Sequence, residues 1–166
     1  MTNSKLSFLT LLMNKSSIIA GLFLVLAFIG FFDATYLTVK HFLGAIPPCS
    51  IVEGCEKVLT SEYAVIAGIP IALVGSIYYS TLFLLTIFSF SLEGKKYFIL
   101  ASRLSVLGFL VSLWLVYLQL FVVKAVCLYC VFSAVVSMLL FCLGALVVLR
   151  ERRRLIESLP VSETKV

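Results

Sequence analysis

The sequence predicts an all-α membrane protein: a four-transmembrane-helix bundle, with an extracytoplasmic loop carrying a short helix between helices 1 and 2. Three observations lead there. Of 166 residues, 62% are hydrophobic and only 13% charged, whereas a soluble domain is about half apolar and about a quarter charged. The apolar residues fall in runs close to the roughly 20 that a helix needs to cross about 30 Å of hydrocarbon. Lys and Arg collect near the ends of those runs, where a charge bias sets membrane orientation. The same composition excludes a disordered segment, and the length allows one domain, 1–166.

The first span runs from about 17 to 39 and is broken only by Asp33. It is too long for a signal-peptide core, and Phe31-Phe32-Asp33 is a poor cleavage site, so the helix is expected to be retained. The external loop covers 41–68. Pro47-Pro48 cannot continue a helix. Between Cys55 and Ser61, apolar Val58 and Leu59 stand among polar residues, which suits a short surface helix over the bundle mouth. Pro70 suits the first turn of the second span, about 69–90. A turn-like stretch from Ser91 to Lys96 follows. From Tyr97 to Leu149 the chain is nearly all apolar; as one helix it would be about 80 Å long, more than twice the membrane. Lys124 is the only full charge in its central part. A tight turn near Val122–Ala125 therefore divides it into spans of about 98–121 and 126–149, leaving a tail, 150–166.

Lys5, Lys15, Lys95, Lys96, Arg103, Arg150, Arg152, Arg153, Arg154 and Lys165 fall on one side of this arrangement; Lys40, Lys57 and Lys124 fall on the other. The positive-inside rule then makes both termini cytoplasmic and the 41–68 loop external. The net charge of +5 needs no nucleic-acid partner. The Arg150–Arg154 cluster is a membrane flank that can touch anionic lipid.

Four of the five cysteines fall at one membrane face. Cys49 and Cys55 stand in the loop as C-x5-C; Cys127 and Cys130 stand as C-L-Y-C where the fourth span begins. That face is the oxidising one, where disulfides persist. Two structural staples are one reading. Long apolar helices hardly need them, however, and a C-x-x-C ring closes so little chain that its stabilising effect is small. A redox couple fits better, because free N–H groups at a helix start stabilise a thiolate and Lys124 adds positive charge one turn back. Cys142, about 18 Å deeper along the same helix, is expected to be a small buried apolar residue.

A two-electron couple in a membrane needs an acceptor. The sequence has no metal-binding His cluster, haem motif or nucleotide loop, and its single His41 reads as interfacial. A lipid-soluble quinone, of the ubiquinone or menaquinone type, would reach the site from the bilayer. Trp114, Tyr117 and Phe121 share one helical face at i, i+3, i+7, and Phe32 and Tyr36 do the same on span one. These rings either hold the quinone or form an interfacial aromatic belt. Asp33 and Gln119 are polar within spans and each needs a partner; for Asp33 the choice is proton uptake during quinone reduction or a hydrogen bond to a neighbouring helix or water.

From about Tyr36 to Ala134 the chain resembles the vitamin K epoxide reductase (VKOR) family. The marks are Cys49…Cys55, Ser61 six residues later, the run Gly68-Ile69-Pro70-Ile71-Ala72-Leu73-Val74-Gly75 with Tyr78-Tyr79, and Cys127-Leu128-Tyr129-Cys130. The loop pair precedes the C-x-x-C, the reverse of the unrelated DsbB pattern. The resemblance implies a four-helix bundle around a quinone with the loop helix as its lid. By the same resemblance Cys130 would face and reduce the quinone. Cys127 would be its disulfide partner and exchange with Cys55, Cys49 would receive electrons, and Ser61 would lie near the quinone head group. Epoxide-reducing animal members have an Asn and a Tyr where Ile71 and Ala134 stand here, so simple quinone reduction is favoured over epoxide reduction. Only twelve residues follow Arg154. The expected partner is therefore a separate thioredoxin-like (DsbA-type) extracytoplasmic protein, and the expected location a bacterial cell (inner) membrane. The competing expectations are a soft-metal protein binding or transporting Cu, Zn or Hg through the same cysteines, and a structural protein with inert disulfides.

Overall fold

The computed structural model describes residues 3–45, 54–90 and 94–158. Cys49, Pro47-Pro48 and the end of the tail lie outside the described residues. In chain order the elements are α1 (Asn3–Phe42), α2 (Gly54–Leu59), a 3-10 turn (Glu62–Ala64), β1 (Val65–Ile66), β2 (Ile69–Pro70), α3 (Ile71–Phe88), α4 (Gly94–Tyr117) with a π-helical continuation (Leu118–Val123), and α5 (Leu128–Ser158). Among the described residues, four stretches are long and apolar enough to cross a membrane: Ser17–Phe42, Ile71–Phe88, Lys96–Val123 and Leu128–Arg154.

The helix α1 packs on α3 and α5, and α4 packs on α3 and α5, so the four spans close into a bundle. Phe23, Ala27, Leu82, Ala101 and Leu140 are fully buried between them, while large side chains such as Leu107, Leu110 and Leu149 face outward. Lipid is as apolar as leucine, so helices in a bilayer associate through close packing of small residues and polar contacts between helices. Both devices are present. A methyl group on Gly30 would run into the Tyr79 ring, and one on Gly144 would meet Ser102 and Ser105 of α4. The Tyr79 hydroxyl donates to the Ser133 carbonyl at 2.9 Å and lies 2.8 Å from Ser137 Oγ, tying α3 to α5. Thr35 and Ser76 join α1 to α3 at 2.8 Å.

Two connections differ from the sequence expectation. Helix α3 starts at Ile71, because Ile69 and Pro70 pair with Ile66 and Val65 in a two-residue hairpin. Its turn places Ala67 at φ 53° and Gly68 at φ 82°, the doubly left-handed form whose twist matches flanking strands. Pro70 therefore precedes the helix as an extended residue. The turn between α4 and α5 is not a simple break. The last turn of α4 widens, and Lys124 then takes a left-handed conformation, φ 51° and ψ 41°. The N–H groups of Lys124 and Ala125 both donate to the Gln119 carbonyl, so a single acceptor closes the helix end.

Candidate functional site

The chain folds so that the start of α5 meets α2. The Cys127 carbonyl accepts the N–H of Val131 at 3.1 Å, so Cys127 is the N-cap residue of α5, one position before the fourth span. Its own N–H donates to Gln119 Oε1 at 2.9 Å. Gln119 is buried and thus holds both sides of the turn, through its backbone oxygen and its side-chain oxygen. Free helix-start N–H groups and a thiol then meet at one place. The Cys127 thiol is pulled down to about 7: the Cys130 thiol donates to it, and the N–H groups of Cys130 and Tyr129 add to this against the opposing effect of burial.

Helix α2 lies on this start. Cys55, Val58 and Cys127 form one buried cluster, flanked by Leu59, Val123, Ala125, Tyr129 and Cys130. Cys55 and Cys127 are 1% and 0% exposed. The approach depends on Gly54, where an added Cβ would sit 2.6 Å from the Val126 carbonyl oxygen and 2.7 Å from its nitrogen. Only glycine lets the backbone come this near, which brings the residue before Cys55 onto the residue before Cys127. Cys55 is disulfide-bonded, whereas Cys127 and Cys130 are free thiols.

Beneath α2 lies a cavity of about 140 Å³, lined among the described residues by all four spans, α2, and the segment that follows it. An apolar cavity of about 150 Å³ can hold a benzene ring, so this one admits a single six-membered ring. Its walls are largely apolar: Ala34 and Leu37 of α1, Val58 and Leu59 of α2, Ile71 and Ala72 of α3, Leu115 and Leu118 of the third span, and Ala134 of α5. Cys130 opens onto it, together with Asp33, His41, Ser61, Tyr63, Ser112, Gln119 and Ser133. The residues present therefore fit a quinone head group, with apolar faces for the ring and polar groups for its oxygens.

The structure brings Cys55, Cys127, Cys130 and Ser61 to this end of the bundle. Four other expected ring contacts, Phe32, Tyr36, Tyr117 and Phe121, do not line the cavity among the described residues and are exposed. An i, i+3, i+7 stripe marks a helical face without giving its direction, and here the stripe points out. Trp114, Tyr117 and Phe121 stack on one another with centroids 5.8 and 5.0 Å apart. Tyr36 packs on Tyr129 at 5.5 Å with Lys40 over its ring, in the manner of an interfacial aromatic girdle. Cys142 is exposed on α5, not buried, because its face of the helix is turned away from the other three.

Sequence reasoning missed Tyr63, Ser112 and Ser133 as lining residues and assigned His41 to the interface alone. For Ser133 a signal existed, since it stands one turn after Cys130. Among the described residues, no group of three or more His, Cys, Asp or Glu could hold a metal ion.

The family model described as Vitamin K epoxide reductase family matches residues 21–145, which takes in all the spans' contributions to the cavity. No curated protein matches the chain.

Proposed function

The chain belongs to the vitamin K epoxide reductase family, a family of quinone-linked thiol–disulfide oxidoreductases of membranes, and from that premise we propose a specific electron route. The protein regenerates disulfides in a separate, extracytoplasmic thioredoxin-like partner. Electrons enter at Cys49, pass through the Cys49/Cys55 pair to Cys127/Cys130, and leave to a membrane quinone of the ubiquinone or menaquinone type. The observation that carries this reading is the shared cluster of Cys55 and Cys127, with Cys130 of the same C-x-x-C opening onto a ring-sized cavity.

Thiol–disulfide exchange requires a thiolate to reach a disulfide sulfur. Burial of α2 against the start of α5 favours that approach: a Cys55 thiolate would attack Cys127 of the oxidised Cys127–Cys130 pair. The Cys130 thiol and helix-start N–H groups that lower the Cys127 thiol would make Cys127 a good leaving group when the mixed disulfide resolves. A bound quinone accepts two electrons and two protons. Apolar residues of α1, α3, α4 and α5 would hold its ring, and Ser61 and Gln119 would be placed to meet its oxygens. Ile71 and Ala134 leave the wall apolar at the two positions that carry polar groups in epoxide-reducing members, so quinone rather than epoxide is the substrate. The Lys/Arg bias supports cytoplasmic termini and an external loop, in a bacterial inner membrane.

The test uses purified protein, quinone and a reduced thioredoxin-like donor. Replacing Cys130 by Ala stops quinone reduction with every donor. Replacing Cys49 by Ala stops it with the protein donor but leaves reaction with dithiothreitol. Turnover that survives the first change, or equal loss with both donors after the second, overturns the route.

A further inference from the structure

We propose that Asp33 is a catalytic residue of the same reaction: it touches the bound acceptor ring and passes a proton to one of its oxygens. The inference rests on the quinone-reductase reading above and names a role for a residue which that reading leaves idle.

Asp33 lies nine residues before the end of α1, inside the first span. Its Oδ2 is shut off from solvent and has no hydrogen-bond partner, although buried polar atoms are almost always satisfied. An ionised carboxylate in that condition is strongly disfavoured. The carboxyl therefore carries a proton, takes a partner from whatever enters the cavity, or does both in turn. It lines the cavity together with Cys130, the sulfur that the proposed route sets next to the acceptor. Among the described residues no lysine or arginine lines that cavity, so none of them places a fixed positive charge beside the carboxylate. Among the described residues the titratable groups around it are Tyr79 from α3, Tyr63 and His41 at the cavity, and Cys127, Tyr129 and Cys130 at the start of α5; the third span contributes uncharged Ser112 and Gln119 as polar lining. A negative charge on Asp33 reaches Cys127 and opposes its thiolate. A neutral carboxyl removes that conflict while the thiolate is needed.

The balance closes. Forming the Cys127–Cys130 bond breaks two S–H bonds and releases two electrons and two protons. The ring takes both electrons, and its two oxygens take one proton each. Asp33 gives its proton to one oxygen and recovers one from the thiol pair; the second thiol proton goes to the other oxygen. Two thiols and one quinone become one disulfide and one quinol, and the carboxyl ends as it began.

The experiment uses the full chain in lipid nanodiscs. In the C130S variant, which cannot turn over, the infrared spectrum should contain a protonated carboxyl band that Asp33→Asn removes and that shifts when a short-chain ubiquinone is added. In the otherwise intact protein, Asp33→Asn should lower kcat about a hundredfold, the lower end of general acid catalysis, with quinone KM changed less than about threefold. Asp33→Glu should recover part of the loss. A carboxyl band that is missing or unmoved by quinone, or an Asp33→Asn variant with wild-type kcat, overturns the proposal. Because the spectrum is read without turnover, the proposal stays testable even if Asp33→Asn folds poorly. If the wild-type protein shows no quinone-dependent thiol oxidation at all, the parent reading falls and this inference falls with it.

Discussion

Gln119 meets two requirements at once: its carbonyl ends α4, and its amide oxygen accepts the N–H of Cys127. Replacing it by Leu strands a buried donor, which costs about 1–3 kcal/mol. We expect a lower thermal midpoint and slower quinone reduction, both measurable on the purified variant; an unchanged midpoint would show that water replaces the amide. Cys127 yields a second test. Its thiol is lowered from about 9 to about 7, so the thiolate is the minority form below pH 7 and the majority form above it. Alkylation of Cys127 in reduced protein, with Cys49, Cys55 and Cys142 replaced, should rise through pH 7 and level off. Replacing Cys130 by Ala removes the leading cause of the shift and should move the midpoint upward. At this scale the sequence was only partly legible. C-x-x-C announces paired sulfurs at a helix start, and chain order alone places Cys127 first. Nothing in the order of residues shows that Gln119, eight positions earlier, folds back onto it, because that contact depends on a widened helical turn.

The element that decides whether the sulfur pairs communicate is α2, and its seat is glycine-dependent. In a Cys49→Ala, Cys130→Ala variant, mild oxidation should link Cys55 to Cys127 within one chain, read as a mobility change on non-reducing gels. Adding Gly54→Val should suppress that link, since the side chain would collide with the Val126 backbone. Failure of the first variant to cross-link would remove the proposed exchange between the pairs. The α4–α5 turn offers a milder case. Lys124 holds a left-handed conformation, which a β-branched residue resists and glycine adopts freely. Lys124→Gly should keep or raise the thermal midpoint, while Lys124→Val should lower it by roughly 1–2 kcal/mol equivalent. Element boundaries were legible where hydropathy sets them. The start of α3 was not, because the short hairpin before it is as apolar as the helix it precedes.

For the whole molecule, membrane insertion makes composition and length informative, so four helices follow from counting apolar runs. The same physics hides the inside of the bundle. Lipid-facing and core-facing positions are both apolar, and the aromatic stripe at Trp114, Tyr117 and Phe121 reads identically whether it lines a cavity or meets lipid. The cavity became visible only when α1, α2 and the other spans were assembled around it. One feature of that assembly has an energetic consequence. The sulfurs of Cys55, Cys127 and Cys130 and the ring-sized cavity belong to the same end of the bundle, the end away from the arginine-rich tail. Electrons and protons would then be exchanged with the same aqueous phase, and neither would cross the low-dielectric slab. Moving one charge across it is worth about 2.3 kcal/mol per 100 mV, yet on the proposed route no charge would move. Turnover in sealed vesicles should therefore be indifferent to an imposed diffusion potential, which makes the reaction electrically silent.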